Sequence, residues 1–265
     1  MSADLVLAVD YDDTTIAGNM IDLILDDVGI DRIGFWARVN NTEVRKPQSY
    51  LHHLINELNA QAPGFRTEDL ARVALNATPF PGAVTLFPRL REFASSSGMT
   101  LYVICITAGL EEMVVSGPVG PYLDGCIGST VCTDWSGKLL EPGRLVTPEE
   151  KANFLVGLSE GRSLCSIPTV GLESVIYVGD GFTDVPAMTQ VTRGGGTAIA
   201  VYAPHDRTRF GKAHQLFRQG AATELAPADY GASTHASLIL EQAITRASRN
   251  RIAQSTTPIA TYRKR

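Results

Sequence analysis

Four short groups of residues have types and spacing that could do chemistry. The first is Asp10-Tyr11-Asp12-Asp13-Thr14-Thr15, which follows directly on an apolar run. If the backbone stays extended there, Asp10 and Asp12 point to the same side. Carboxylates that close repel one another unless a proton or a cation intervenes. A hard divalent ion such as Mg²⁺, which prefers oxygen ligands, resolves that repulsion. One carboxylate can then attack while the other manages protons. An acidic turn whose aspartates serve only as caps would use the same residue types. The second group is Gly179-Asp180-Gly181-Phe182-Thr183-Asp184. Its glycines allow tight backbone geometry, and Asp180 and Asp184 can meet at a metal. Asp184 could instead cap the helix that follows.

The third group is Thr107-Ala108-Gly109, again just past an apolar run. A hydroxyl beside bare backbone amides at a helix N-terminus makes an anion cradle, although the same tripeptide is a common turn. The fourth is Lys151. Thr147-Pro148-Glu149-Glu150 reads as an N-cap, a Pro at the first helical position and a capping-box Glu. Lys151 therefore falls in the first helical turn or just past it, where a cation opposes the helix dipole. A phosphate ligand explains a lysine there; a surface lysine is the plain alternative.

These groups need elements to hold them. Leu5–Val9, Leu101–Ile106, Ser174–Val178 and Thr197–Ala203 are short apolar runs that read as buried parallel strands. Helical patterns separate them at Val84–Ser95, Leu110–Val115, Pro148–Leu158 and Val185–Thr189. Such alternation predicts an α/β fold with a Rossmann-like three-layer core and a mostly parallel sheet. Ligand sites in these sheets lie beyond the carboxyl ends of the strands, where three of the four groups fall. Residues 18–79 break the alternation. They carry helical patterns at Asn19–Val28, Ile33–Val39, Pro47–Leu58 and Thr67–Ala74, with no strand-like run. They are expected to form a small α-helical domain inserted into a core made of 1–17 and 80–265.

In this order and on these residues, the chain resembles the haloacid dehalogenase superfamily, in its phosphatase branch. The four motifs span about two-thirds of the chain, residues 6–184. Asp12 argues against the dehalogenase branch. The resemblance implies that Asp10 is the nucleophile and forms an aspartyl-phosphate. Asp12 would protonate the leaving oxygen, later activate water, and offer its backbone carbonyl to Mg²⁺. Thr107, with Ala108 and Gly109, and Lys151 would hold the phosphoryl oxygens, and Lys151 would also screen Asp10 from the phosphate. Asp180 would bind Mg²⁺ directly, and Asp184 directly or through water. Many relatives carry Gly where this chain has Asp13, an aspartate that still suits a turn. The Thr14 hydroxyl is expected to brace the loop.

The inserted helices are similar to the cap of the phosphoserine-phosphatase-like subgroup, and the gap from Thr107 to Lys151 is too short for a large second cap. Such a cap closes over the site and contacts the substrate. Asn19, Trp36, Arg38, Arg45, Lys46, His52 and His53 are the candidates for those contacts. The expectation is a Mg²⁺-dependent hydrolase of a small phosphorylated metabolite. Transfer to an acceptor other than water, or a non-catalytic binding module on the same fold, are the alternatives. The motifs name neither the substrate nor the oligomeric state.

Composition agrees with an enzyme rather than a charge-driven binder. The chain has 265 residues, 44% of them hydrophobic, and a net charge of −5. A nucleic-acid partner bound by bulk positive charge is not expected. No apolar run is long enough to span a membrane, and the first residues lack a basic stretch, so a cytoplasmic protein is expected. Cys105, Cys126, Cys132 and Cys165 are too few for a disulfide framework. Cys126 and Cys132 lack the paired spacing of a zinc site, and Cys105 reads as a small buried residue. Six basic residues from Arg246 onward (Arg246, Arg249, Arg251, Arg263, Lys264, Arg265) read as a solvated helix end and tail rather than an anion- or membrane-contacting one.

Overall fold

The computed structural model describes residues 3–41, 49–162 and 166–256. Six strands form one parallel sheet. They are β1 (Ala3–Val9), β2 (Met99–Leu110), β3 (Gly125–Ser129), β6 (Val175–Gly179), β7 (Thr197–Tyr202) and β8 (Glu224–Pro227). Their order is β3-β2-β1-β6-β7-β8. The chain builds outward from β1 through β2 and β3, then returns to the other side of β1 with β6. The reversal between β1 and β6 is the topological switch point at which such sheets bind ligands.

Alternation along β1 explains the layers. Leu5, Leu7 and Val9 pack into one apolar cluster, and Val6 and Ala8 into another. Successive side chains on a strand point to opposite faces, so a strand apolar throughout must be covered on both. The first cluster takes in α5 (Ala83–Ser96) and α10 (His235–Thr256). The second takes in α7 (Pro148–Ser159), α8 (Val185–Arg193) and α9 (Arg207–Arg218). The sheet with helices on both sides is the three-layer α/β core expected from the sequence.

Between β1 and α5 the chain forms α1 (Met20–Val28), α2 (Arg32–Asn41), α3 (Ser49–Gln61) and α4 (Thr67–Ala74). Local chemistry sets their ends. The Asn19 side chain accepts from the Ile21 amide at 2.7 Å and starts α1, and Gly29, at φ +75°, ends it. Buried faces of all four helices join the first apolar cluster through residues such as Ile24, Phe35, Leu54 and Leu70. The short helix α6 (Glu111–Ser116) follows β2.

Three features differ from the sequence reading. Strand β2 continues to Leu110, so Thr107-Ala108-Gly109 lies in extended backbone with a shift of register rather than at a helix N-terminus. An antiparallel hairpin, β4 (Val131–Thr133) and β5 (Leu139–Pro142), was not anticipated. It meets the inserted helices: the Thr67 amide and hydroxyl donate to the Gly137 carbonyl at 2.9 and 3.0 Å, and Asn59 Nδ2 donates to Leu139 O at 3.1 Å. Strands β3 and β8 are short and lack a long apolar run, which hid them. The expected helix end is present: α10 carries Arg246, Arg249 and Arg251. Arg263, Lys264 and Arg265 lie outside the described residues, as do Arg45, Lys46 and Cys165. Cys105, Cys126 and Cys132 are free thiols. Among the described residues, no helix is long and apolar enough to cross a membrane.

Candidate active site

The parallel ladder carries Asp10 to the crest of the sheet. Its amide donates to Val178 O of β6 at 2.9 Å, one residue past the end of β1. Asp10 is almost fully buried, and its Oδ1 accepts from the Tyr11 amide at 2.8 Å. The turn beyond is closed by the Thr15 hydroxyl, which donates to Tyr11 O at 3.1 Å, and by the Tyr230 hydroxyl, which donates to Thr14 O at 2.7 Å. The expected brace from Thr14 is therefore corrected: its own hydroxyl is buried and finds no partner among the described residues. Thr15 does that work one position later.

Lys151 enters from the other side of the crest. The capping box is present as expected: Thr147 Oγ1 accepts from the Glu150 amide at 3.1 Å, and the Glu150 carboxylate accepts from the Thr147 amide at 2.7 Å. One residue further on, the Lys151 side chain is 1% exposed. Its Nζ lies 2.9 Å from Asp10 Oδ2 and 2.8 Å from Asp184 Oδ1. Burial works against its charge, but Asp10 and Asp184 more than offset that, so the ammonium is held firmly protonated. Lys151 is thus no surface lysine.

Asp184 is completely buried. Its Oδ1 also accepts from the Tyr177 hydroxyl at 2.7 Å, and its Oδ2 from the Gly181 amide at 3.2 Å. It makes no side-chain cap on α8. Gly179 is what admits it, since a Cβ there would meet the Asp184 carboxyl at 2.5 Å. Asp180 completes the group. Carboxylate oxygens of Asp10, Asp180 and Asp184 all lie within 4.8 Å of one another.

Three carboxylates with a single lysine between them form an overcharged site. Burial first, and then the charge of Asp184, push Asp10 up to about 6 against the pull of Lys151. Burial and the charges of Asp184 and Asp10 push Asp180 up to about 8. The donor set is oxygen only, compact and electron-rich, which fits a hard divalent cation such as Mg²⁺. Asp184 has already committed its Oδ1 to two donors and one side of its Oδ2 to a third. Asp10 and Asp180 therefore have more oxygen lone pairs free to ligate such an ion than Asp184 has.

Asp12 stands apart from that cluster. Its Oδ1 accepts from the Met20 amide, at the start of α1, at 2.9 Å. Burial, with help from the charges of Asp10 and Asp13, holds its pKa well above the usual carboxylate range. The Thr107 hydroxyl is buried at the end of the neighbouring strand and accepts from the Gly109 amide at 3.0 Å. Ala108 offers its carbonyl to the Ser129 hydroxyl at 2.8 Å and the Tyr50 hydroxyl at 2.6 Å. The structure thus brings Asp10, Lys151, Asp180 and Asp184 into direct contact range. It places Asp12 on the same turn as Asp10, and Thr107, Ala108 and Gly109 on the adjoining strand.

Of the described residues expected to reach in from the inserted helices, Asn19, Trp36 and Arg38 have partners within the insertion. Asn19 caps α1. Trp36 Nε1 donates to Asp22 Oδ1 at 2.7 Å, and Arg38 pairs with Glu57 at 2.6 Å. His52 is exposed. Tyr50, which sequence reasoning missed, is the residue that spans from α3 to the Thr107–Gly109 strand. It packs beside Trp36, with ring centroids 6.1 Å apart. Tyr177 was also missed, because a tyrosine inside an apolar run shows nothing of where its hydroxyl goes.

The geometry finds counterparts among solved structures. A HAD family hydrolase from Salmonella enterica serovar Typhi superposes with a TM-score of 0.58 at 21% identity. The match covers 77% of this chain but only 64% of that longer protein. Apo phosphoserine phosphatase superposes with a TM-score of 0.59 at 17% identity, over 84% of this chain and 92% of that one. The fold is the haloacid dehalogenase fold. No protein-family model matches the chain. An uncharacterized protein of Borreliella burgdorferi is 23% identical over 87% of this chain and 93% of its own length. The haloacid dehalogenase fold places Asp10 and Asp180 where the sheet order reverses.

Proposed function

We propose that this protein is a Mg²⁺-dependent phosphomonoester hydrolase that works through an aspartyl-phosphate on Asp10. The observation that carries the reading is the buried Lys151 bridge between Asp10 and Asp184, with Asp180 beside it, at the switch point of the sheet. A buried cation that neutralises only part of an acidic cluster suits a dianionic substrate held with a divalent ion. The hydrolases and phosphatases that share the fold support a phosphate ester as the substrate class.

In this reading a carboxylate oxygen of Asp10 attacks phosphorus, and the bond from phosphorus to the leaving oxygen breaks. Asp12 gives its proton to that oxygen; the raised affinity of its buried carboxyl for a proton suits it to be the acid. The resulting Asp12 carboxylate then takes a proton from water, which attacks the aspartyl-phosphate, releases phosphate and restores Asp10. Thr107 and Lys151 hold phosphoryl oxygens, and Lys151 keeps Asp10 from repelling its substrate. Mg²⁺, when bound by Asp10, Asp180 and Asp184, would offset the charge of phosphate and carboxylates. Residues 18–79 act as a cap, with Tyr50 at its contact with the Thr107–Gly109 strand. A site covered in this way suits a small phosphorylated metabolite.

The test is phosphate release from a panel of phosphorylated metabolites and an aryl phosphate, with Mg²⁺ and with chelator. Release that needs the metal and disappears in Asp10→Asn is the expected result. Full turnover in Asp10→Asn would remove Asp10 as the nucleophile.

A further inference from the structure

One cation near the site belongs to none of the four motifs. Arg209 lies in the first turn of α9, and its Nη1 is ion-paired with Asp13 Oδ2. Its Nε lies 3.3 Å from Asp206 Oδ2. Asp206 is itself fixed as the N-cap of α9, accepting from the Thr208 and Arg209 amides at 2.9 and 3.0 Å. Arg209 is thus held from behind by its own helix and reaches forward to the Asp10–Asp13 turn. It also feels the charge of Asp180.

Asp13 is an unusual residue for its position. Its backbone is left-handed, at φ +54°, a region that non-glycine residues enter seldom and aspartate more readily than most. Both ends of Asp13 are engaged with Gly18. The Asp13 amide donates to Gly18 O at 3.0 Å, and Asp13 Oδ1 accepts from the Gly18 amide at 2.9 Å. The loop from 13 to 18 is closed by these two bonds. Two residues after Gly18, the Met20 amide donates to the Asp12 carboxylate. A connected path therefore runs from α9 through Arg209, Asp13, Gly18 and Met20 to Asp12.

We propose that Arg209 is a positioning residue, which holds the Asp12 carboxylate at its working place through Asp13 and the start of α1. The proposal rests on the hydrolase reading above, in which Asp12 is the acid. Asp13 adds another negative charge beside the acidic cluster, and its two bonds to Gly18 leave the loop little freedom. Arg209 offsets the charge and turns the lost freedom into a fixed register for the Met20 amide. The fork of arginine matters, because one edge contacts Asp13 while Nε faces Asp206.

Two measurements on the full chain decide it. The first is hydrogen exchange over residues 13–20 in wild type, Arg209→Met, Asp13→Gly and the double variant. Faster exchange of the Gly18 and Met20 amides in Arg209→Met is expected, with no further increase when Arg209→Met is added to Asp13→Gly. Unchanged protection in Arg209→Met overturns the proposal, whatever the catalytic outcome. The second compares kcat/KM for an alkyl phosphate and p-nitrophenyl phosphate. The aryl leaving group needs no proton, so losing a placed acid should lower turnover of the alkyl ester by roughly tenfold or more and of the aryl ester far less. Asp12→Asn should show the same selectivity, and Arg209→Lys should recover part of the loss. Equal loss on both esters with wild-type melting temperature overturns the catalytic role. If wild type releases phosphate from neither ester, the hydrolase reading falls, and the exchange result still decides whether Arg209 holds the Met20 amide on Asp12.

Discussion

The crest of the sheet and the inserted helices use charge in opposite ways. At the crest, Lys151 and Asp184 are buried and share partners, so each charge depends on several others. In the inserted helices, arginines about half exposed pair with nearby acids at the surface: Arg32 with Asp22 and Asp26, Arg38 with Glu57, Arg72 with Asp27 and Asp69. Surface pairs of this kind contribute little and can be exchanged. A buried network cannot lose a member without leaving another charge stranded. The crest charges are therefore mutually dependent, while the surface pairs of the insertion are individually replaceable.

Single substitutions test that contrast directly. Asp10→Asn carries the largest expected effect, a loss of phosphate release of at least about a thousandfold in a protein that stays folded, because Asp184 still neutralises Lys151. A fall of only a few-fold would place the nucleophile elsewhere. Lys151→Met should cost about 3–5 kcal/mol of stability as well as activity, because it strands Asp10 and Asp184. Denaturant unfolding would measure it. Arg72→Ala, by contrast, should leave the midpoint almost unmoved. Comparable losses in the two variants would mean that burial does not set these two kinds of charge apart.

Metal and pH sharpen the same comparison. Asp10 and Asp180 have folded-state values of about 6 and about 8, above their ordinary 3.8. A carboxyl that holds its proton more tightly when folded lends stability below its ordinary value and loses it as pH rises through the folded value. Chelated protein should therefore lose melting temperature from about pH 4 to just above pH 8. Added Mg²⁺ should restore more stability at the upper end of that window than at the lower. A chelated protein whose melting temperature rises across the same range would contradict the crowded-carboxylate picture. The smallest effect is expected for Tyr50→Phe, which removes one hydrogen bond to Ala108, worth about 1 kcal/mol. It should shift KM across a substrate panel by a few-fold with kcat retained.

Much of the crest was legible because the fold repeats one device. An apolar run leads to a polar turn, and parallel order brings those turns together, so Asp10, Asp180 and Asp184 stood out as candidates by spacing, and the order of the four motifs, through the resemblance it carries, set them apart from acidic turns and caps. Lys151 was found through its capping box, which set its phase on α7. What escaped depends on pairing between distant segments. The hydroxyls of Tyr177 and Tyr50 gave no local sign of their partners, and Arg209 is one arginine among several in a basic stretch. Strand β2 was cut short because Thr107-Ala108-Gly109 has the composition of a turn while its backbone remains extended. The four-helix insertion was visible from periodicity, but the hairpin that meets it was not, since Val131–Thr133 is too short to show alternation.

The bonds from Thr67 and Asn59 to the β4–β5 hairpin make the insertion a span moored at both banks. One mooring is where the chain leaves and rejoins the core around Gly18 and Pro79; the other is the hairpin. Any wide opening must either break the hydrogen bonds to Gly137 and Leu139 or carry the hairpin with it. The chain's two tryptophans sit on opposite sides of this seam, Trp36 on the span and Trp135, 98% exposed, at the hairpin tip. Trp135 stays in solvent in either mode, so the two are told apart by hydrogen exchange at Thr67: its amide bond to Gly137 O breaks if the span detaches and survives if the hairpin moves with it.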